Sequence, residues 1–561
     1  MTEDQLEKSS DGGLSKRSLL VGATGLATSA VFASFSVKAA RPPLGPLPSV
    51  DRLKTIDPAR YPSLSKRAIG MLEYQYRKAT AAQGDWSLWE PSQLFDGKTG
   101  IGGTEREGTQ YDLFSSSLAV ANAVDKTPAY REFAEMVLGG IAEKGHDDRS
   151  WRYWTENRDG SGNNGVFTPY SADPIPVANA MYVGNHGGAL AYYALMTDNR
   201  RFDKPQNYVY RGPGVEIAGR RIPNGMTWSH SWKDLVENVS KQMMAADNRM
   251  VMCQVPTIYF MCNLSIAQTM LAYDKVIGGG YSEILYGRDG FFARTGEQMF
   301  DPPRSSGKAP EKIIFGQKLV DGSWRSGPQF SVGDIFLTYG LYPTKPDWAM
   351  DTYAMSKRLW LRKEADGLAS WAAEGGGQVG GAPIKALATS LGAVIAAMAR
   401  DTDTRRRTVE WMERNYSPTW DGDMLVYKMV YDDPADYLRA GGMQSGMLAV
   451  EVLDGGSPMA NFDIDRRRFR EPTISGAPYP EVNVSRATFD RDASALVATL
   501  STARATTFNV TNLQPGAQAV VLMNGEVVHR GQAPADPRGL RIALPSGTHD
   551  FVIGVQFAPL A

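Results

Sequence analysis

The sequence predicts a mainly α protein: an (α/α)6 toroid followed by a small C-terminal antiparallel β-sandwich. Three observations carry that reading. About ten segments between Ser63 and Leu453 repeat apolar residues at helical spacing. The connections between them are long and rich in Gly, Pro and Trp, as paired inner and outer helices around an axial cavity require. After Asp454 the texture changes to short alternating stretches with regular turn signals.

Residues 1–40 read as a signal peptide. Ser15-Lys16-Arg17-Ser18 is the basic n-region, Leu19 to Val37 is uncharged, and Ser36-Val37-Lys38-Ala39-Ala40 offers small residues for cleavage. The Lys-Arg pair resembles a twin-arginine (Tat) signal whose first Arg is Lys. The other reading is an uncleaved N-terminal anchor, since the stretch is nearly long enough to span a bilayer. In either case the body of the protein is expected outside the cytoplasm, periplasmic or secreted.

Residues 41–460 form the expected helical domain. Pro42 to Pro62 is a proline-rich entry. Helices are expected from a Ser cap at Ser63 to Tyr76, then over Tyr111–Val124, Ala129–Glu143, Val177–Met196, Trp232–Met244, Leu264–Ile277, Trp348–Leu361, Ile384–Arg400, Thr404–Asn415 and Gly441–Leu453. Ala386 to Ala399 is uncharged but too short to cross a bilayer, so it reads as a core helix. Residues 461–481 make a polar, proline-rich linker. Residues 482–561 carry the strand signals, and Asn524-Gly525 marks a hairpin because both residues tolerate positive φ.

The formal net charge of −1 gives no field to steer the chain to nucleic acid or anionic lipid. The partner expected is a small apolar alcohol or alkene, with no membrane contact after signal removal. A homo-oligomer is compatible with the sequence. None of the five histidines stands in a zinc spacing, and neither a phosphate-binding glycine loop nor Gly-x-Ser-x-Gly occurs. Nothing visible calls for a cofactor.

Two stretches stand out. Asn179-Ala-Met-Tyr-Val-Gly-Asn-His-Gly-Gly188 is a polar, glycine-bearing break in an apolar helix. Each such glycine costs about 1 kcal/mol relative to Ala. Close approach of a ligand or a second helix would offset that; tight packing around one buried His is the plainer reading. The second stretch holds the only two cysteines, Cys253 and Cys262. In an exported protein such a pair suggests a disulfide. Pro256 breaks any helix between them, so the two thiols can face one cavity or each other.

Cys-x8-Cys followed by Asn, an apolar helix ending in Tyr273-Asp274, and the upstream Asn-x-Met-Tyr-x-Gly element resemble the linalool dehydratase/isomerase family. The resemblance covers about residues 61–453. It implies a cofactor-independent periplasmic (α/α)6 barrel that dehydrates or isomerises a tertiary allylic terpenoid alcohol. Carried over by motif, it implies Cys253 and Cys262 as catalytic residues and Met181 against the substrate. The family His falls on Asn185, with His186 one place later, so a shifted register would let His186 take its role. Tyr111 and Glu105 are the candidates for the Tyr and the acid, and Tyr182, Asn185 and Tyr259 would line the substrate. The residues from Phe202 to Thr227 and the β module exceed the family pattern.

The residue types suit that chemistry independently. Loss of a tertiary hydroxyl requires an acid at the leaving oxygen and a base for a neighbouring proton. Aromatic faces such as Tyr182 and Tyr259 would stabilise allylic cation character. A second reading is a carbohydrate-active toroid, a glycosidase or polysaccharide lyase. Trp86, Trp89, Trp151 and Trp154 would stack sugars there, with Glu107 and Asp112 as carboxylates. A third is a non-catalytic carrier of an apolar ligand.

Overall fold

Apolar periodicity and local caps produce the helices. The computed structural model describes residues 44–89, 105–151, 173–176, 179–214, 216–217, 220–253, 257–314, 316–318, 324–325, 331–372, 374–375, 378–379, 382–428, 441–453, 462–534 and 538–557. The signal-peptide segment, Pro256, Trp154 and the side chains of Glu105 and Glu107 lie outside the described residues. The protein is mainly α, with small antiparallel sheets. Among the described residues no helix is long and apolar enough to cross a membrane.

The helices are α1 (Val50–Lys54), α2 (Lys66–Thr80), α3 (Glu105–Val124), α4 (Arg131–Lys144), α5 (Ala180–Thr197), α6 (Trp232–Ala245), α7 (Phe260–Val276), α8 (Phe291–Gln298), α9 (Ser331–Leu341), α10 (Pro346–Trp360), α11 (Ala382–Met398), α12 (Thr402–Tyr416) and α13 (Gly441–Val452). All ten expected helices are present. The Ser cap of α2 is Ser65 rather than Ser63: its hydroxyl accepts from the Ala68 amide at 3.0 Å. The alternation of partners is regular. α3 packs on α5, α5 on α7, α7 on α9, α9 on α11, α11 on α13 and α13 on α3. A second set lies against these: α2 on α3 and α13, α4 on α3 and α5, α6 on α5 and α7, α10 on α9, and α12 on α11.

α5 is buried along its whole length, as a helix without a polar face must be. Its glycines serve helix–helix approach. A Cβ on Gly184 would lie 2.8 Å from the Ser265 Cβ and 3.1 Å from the Cys262 carbonyl oxygen, both on α7. A Cβ on Gly188 would meet the Phe114 ring of α3 at 2.9 Å. The cost of glycine in this helix is therefore offset by tight packing of α3 and α7 against it.

Among the described residues the C-terminal part has eight strands: β1 (Thr473–Ser475), β2 (Val482–Asp490), β3 (Ala495–Thr502), β4 (Thr506–Thr511), β5 (Gln518–Met523), β6 (Glu526–Gln532), β7 (Leu540–Leu544) and β8 (Gly547–Val555). They form a five-stranded sheet in the order β2-β3-β8-β5-β6 and a three-stranded sheet in the order β1-β4-β7. All pairings are antiparallel. Asn524 and Gly525 turn the β5–β6 hairpin at φ 51° and 85°. β1 lies within the segment expected as a linker and pairs with β4. The strands are tied to the helices through backbone bonds: Leu64 donates to Ser485 at 2.7 Å and Ala129 to Ala487 at 3.0 Å.

Candidate active site

Four of the mutually packed helices converge on one small cleft of about 350 Å³ of empty space, its open mouth included. α3 contributes Tyr111 and Phe114, three residues apart and so on one face. α5 contributes Asn185. α7 contributes Met261, Cys262 and Ser265, and α9 contributes Phe336 and Gly340 at i and i+4. The rings of Tyr111 and Phe336 pack with centroids 5.2 Å apart. The walls are thus aromatic and sulfur-bearing, and none of these eight residues is Lys, Arg, His, Asp or Glu.

Cys262 is the third residue of α7, and Cys253 precedes the short strand Thr257–Tyr259 that leads into it. Their sulfurs are 2.9 Å apart, both are buried, and no disulfide joins them. A disulfide bond would be about 2.05 Å long. Two asparagines hold this arrangement. Asn263 accepts from the Val251 amide at 2.7 Å and donates to the carbonyls of Val251 at 3.0 Å and Tyr259 at 2.8 Å. Asn179, the N-cap of α5, accepts from the Tyr182 amide at 2.9 Å and donates to the Cys253 carbonyl. The start of α5 is thereby fastened to the cysteine segment.

Asn185 is 5% exposed, and its side chain makes no hydrogen bond among the described residues. Met181 lies one turn earlier on the same helix face and is buried. His186 does not share that face. One residue along a helix is a rotation of about 100°, and it turns the imidazole toward the end of α4. There a Cβ on Gly145 would collide with His186 Nδ1. The ring stacks on Tyr182 at 5.6 Å and meets His146 edge-on at 5.0 Å. Neither nitrogen has a hydrogen-bond partner among the described residues, and burial lowers the pKa to about 3. Burial also holds His146 neutral, well below the usual imidazole range. Tyr182 points the same way, donating to the Gly145 carbonyl at 2.8 Å, with its oxygen 2.7 Å from that of Tyr210.

The structure therefore brings together Tyr111, Asn185, Cys253 and Cys262 of the expected residues. Tyr259 caps α7, and Tyr182 and His186 belong to the buried cluster beside α4. Glu105 opens α3, with its side chain outside the description. Tyr273 packs on Trp232 at 4.8 Å, and Asp274 accepts from the amides of Tyr281 and Ser282, so that pair anchors a loop. Phe114, Met261, Ser265, Phe336 and Gly340 were not singled out in the sequence. Only Ser265, one helical turn from Cys262, carried a usable signal.

The residues proposed for sugar chemistry are placed otherwise. Trp86, Trp89 and Trp151 are buried. Asp112 is fully buried and ion-paired to Lys78 at 2.5 Å, and the Lys78 ammonium sits 4.2 Å from the Trp89 ring centroid. Among the described residues no group of three His, Cys, Asp or Glu is placed to hold a metal ion.

A mainly helical body with a cleft lined without Lys, Arg, His, Asp or Glu, a cysteine pair not joined by a disulfide and a tyrosine has the residues for acid–base chemistry on an apolar molecule. Residues 110–432, more than half of the chain, match the family described as linalool dehydratase/isomerase, and the chain belongs to that family. The match contains every cleft residue and ends before the C-terminal strands. No curated protein matches the chain.

Proposed function

We propose that the protein is an exported, cofactor-independent hydro-lyase or isomerase of a terpenoid-like tertiary allylic alcohol, working in the cleft between α3, α5, α7 and α9. The observation that carries this reading is the reduced pair Cys253–Cys262, adjacent but not joined by a disulfide, with Cys262 opening on the cleft beside Tyr111. The closed cycle of neighbours from α3 round to α13 supports an (α/α)6 toroid with the cleft near its axis, and the two C-terminal sheets support a sandwich. Export rests on the basic, apolar and small-residue pattern of residues 1–40.

In this reading Tyr111 or one thiol delivers a proton to the hydroxyl, and the C–O bond breaks to release water. The other sulfur, as thiolate, takes a proton from the neighbouring carbon to leave a diene. Re-addition of water at the far end of the allyl system gives the isomer instead. The faces of Tyr111, Phe114 and Phe336 stabilise positive charge on the allyl carbons, and the small cleft limits the water that could trap it. His186 and Tyr182 support the helix that presents Asn185.

The test is turnover of linalool by the reduced full chain, with diene and rearranged alcohol measured by gas chromatography. Cys253→Ala and Cys262→Ala are each expected to lower the rate at least about 100-fold, the lower range for loss of one general acid or base. Near-normal rates in folded variants would sink the proposal. Polysaccharide cleavage that persists in the same variants would move the protein to the carbohydrate-active reading.

A further inference from the structure

We infer that Asn185 and Ser265 form a neutral hydrogen-bond clamp that recognises the substrate oxygen, so that this member reads the hydroxyl without an imidazole. The inference rests on the cleft being the substrate site, as proposed above.

Its first support is the state of the two side chains. Both line the cleft from facing helices, and neither makes a side-chain hydrogen bond among the described residues. Asn185 is 5% exposed. The amide faces the cleft, and a bound oxygen there would give it a hydrogen-bond partner worth about 0.5–1.5 kcal/mol net. A serine on a helix ordinarily returns its hydroxyl to the carbonyl four residues back. Thr269 does so, donating to the Ser265 carbonyl at 3.0 Å. Ser265 does not, which leaves its O–H for the cleft.

The second support is the fit of helix α5 to helix α7. Gly184 precedes Asn185 and lies against Ser265, where a Cβ would be 2.8 Å from the serine Cβ. That approach brings residue 185 and the serine to the same wall, beside Cys262. The third is electrostatic. The described lining has no Lys, Arg or carboxylate, so it offers nothing to balance a phosphate, carboxylate or ammonium on the ligand. An amide and a hydroxyl can each donate to an oxygen and accept from an O–H. They suit a free alcohol and reject a prenyl diphosphate of the same skeleton. Neither group titrates near neutrality; the titratable groups that share the cleft are the Cys262 thiol and the Tyr111 phenol, so any pH dependence of recognition would come from them and not from the clamp.

The test uses unreactive probes with the reduced full chain: 3,7-dimethyloctan-3-ol, the hydrocarbon 3,7-dimethyloctane, and the saturated 3,7-dimethyloctyl diphosphate. Two net hydrogen bonds predict about tenfold tighter binding of the alcohol than the hydrocarbon, a ratio that the clamp itself leaves unchanged between about pH 5.5 and 8.5, and the weakest binding for the diphosphate. Asn185→Leu with Ser265→Ala should bring the ratio close to one, and Asn185→His should make alcohol binding vary with pH near 6.5. The wild-type ratio alone tests the clamp if a variant fails to fold. Equal binding of alcohol and hydrocarbon, or a ratio that survives the double substitution, overturns the clamp and leaves the apolar cleft standing. Preference for the diphosphate overturns the clamp as well. Binding of none of the three overturns the clamp together with the proposed function.

Discussion

Asn185 and His186 are consecutive residues of α5 that serve opposite sides of it: the amide lines the thiol cleft, and the imidazole packs 5.0 Å from the ring of His146. A shift of one position separates a residue that meets ligand from one that meets core.

That separation predicts an acid sensitivity of the fold. Burial lowers the His186 pKa from 6.5 to about 3, so the folded state holds the ring neutral while the unfolded chain binds a proton below pH 6.5. The stability in question is complete above 6.5 and is lost as pH falls from 6.5 toward 3, by up to about 1.4 kcal/mol per unit. His186→Asn should flatten that part of the stability curve. Urea midpoints of wild type and variant between pH 7 and 4 measure it, and parallel curves would refute it.

Asp334 predicts the opposite slope. It is fully buried on α9, where Trp360 donates its indole N–H to Oδ2 at 2.6 Å, and Oδ1 has no partner among the described residues. Burial raises the pKa from 3.8 to about 7. The protonated acid is favoured in the fold, so its contribution is complete below pH 3.8 and disappears as pH rises through 7. Asp334→Asn should therefore gain on wild type as pH rises from 5 to 8. Because this slope opposes that of His186 between about pH 4 and 6.5, each is read only as the difference from its own variant.

The adjacent thiols predict reversible inactivation. With the sulfurs 2.9 Å apart, diamide should remove two hydrogens per chain, visible as a mass loss in the intact protein, and stop turnover of linalool. Dithiothreitol should restore both. Turnover that continues in the fully oxidised protein would argue against catalytic thiols.

Gly184→Ala should couple stability to activity. The added methyl would press on Ser265 and on the Cys262 carbonyl, costing about 1–3 kcal/mol by overpacking and spreading α5 from α7. A lower melting temperature with loss of alcohol binding is expected. A variant with unchanged melting and binding would show that the helices yield there.

Ten of the described helices were legible from apolar spacing and the Asn524–Gly525 hairpin from its turn chemistry, but not the short α1 and α8, despite the Ser49 cap of one and the polar face of the other. α9 was not: Ser331–Leu341 is short and buried almost throughout, so it has no polar stripe to set a period. Missing it also hid Phe336 and Gly340. Cys262, Tyr111 and Asn185 could be reached through local motifs. Phe114 becomes a site residue only because α3, α5, α7 and α9 meet, which no single segment encodes. His186 drew attention by residue type, yet the helical rotation of its position carries it away from the cleft.

Asn263 has a consequence for how the thiol pair endures. Its three hydrogen bonds to Val251 and Tyr259 close the base of the loop between the cysteines. The residues flanking that loop are therefore held by bonds that do not involve sulfur. Val251 and Tyr259 should then keep their places whether the pair is reduced or oxidised, so that the redox state changes the chemistry on offer more than the frame around it.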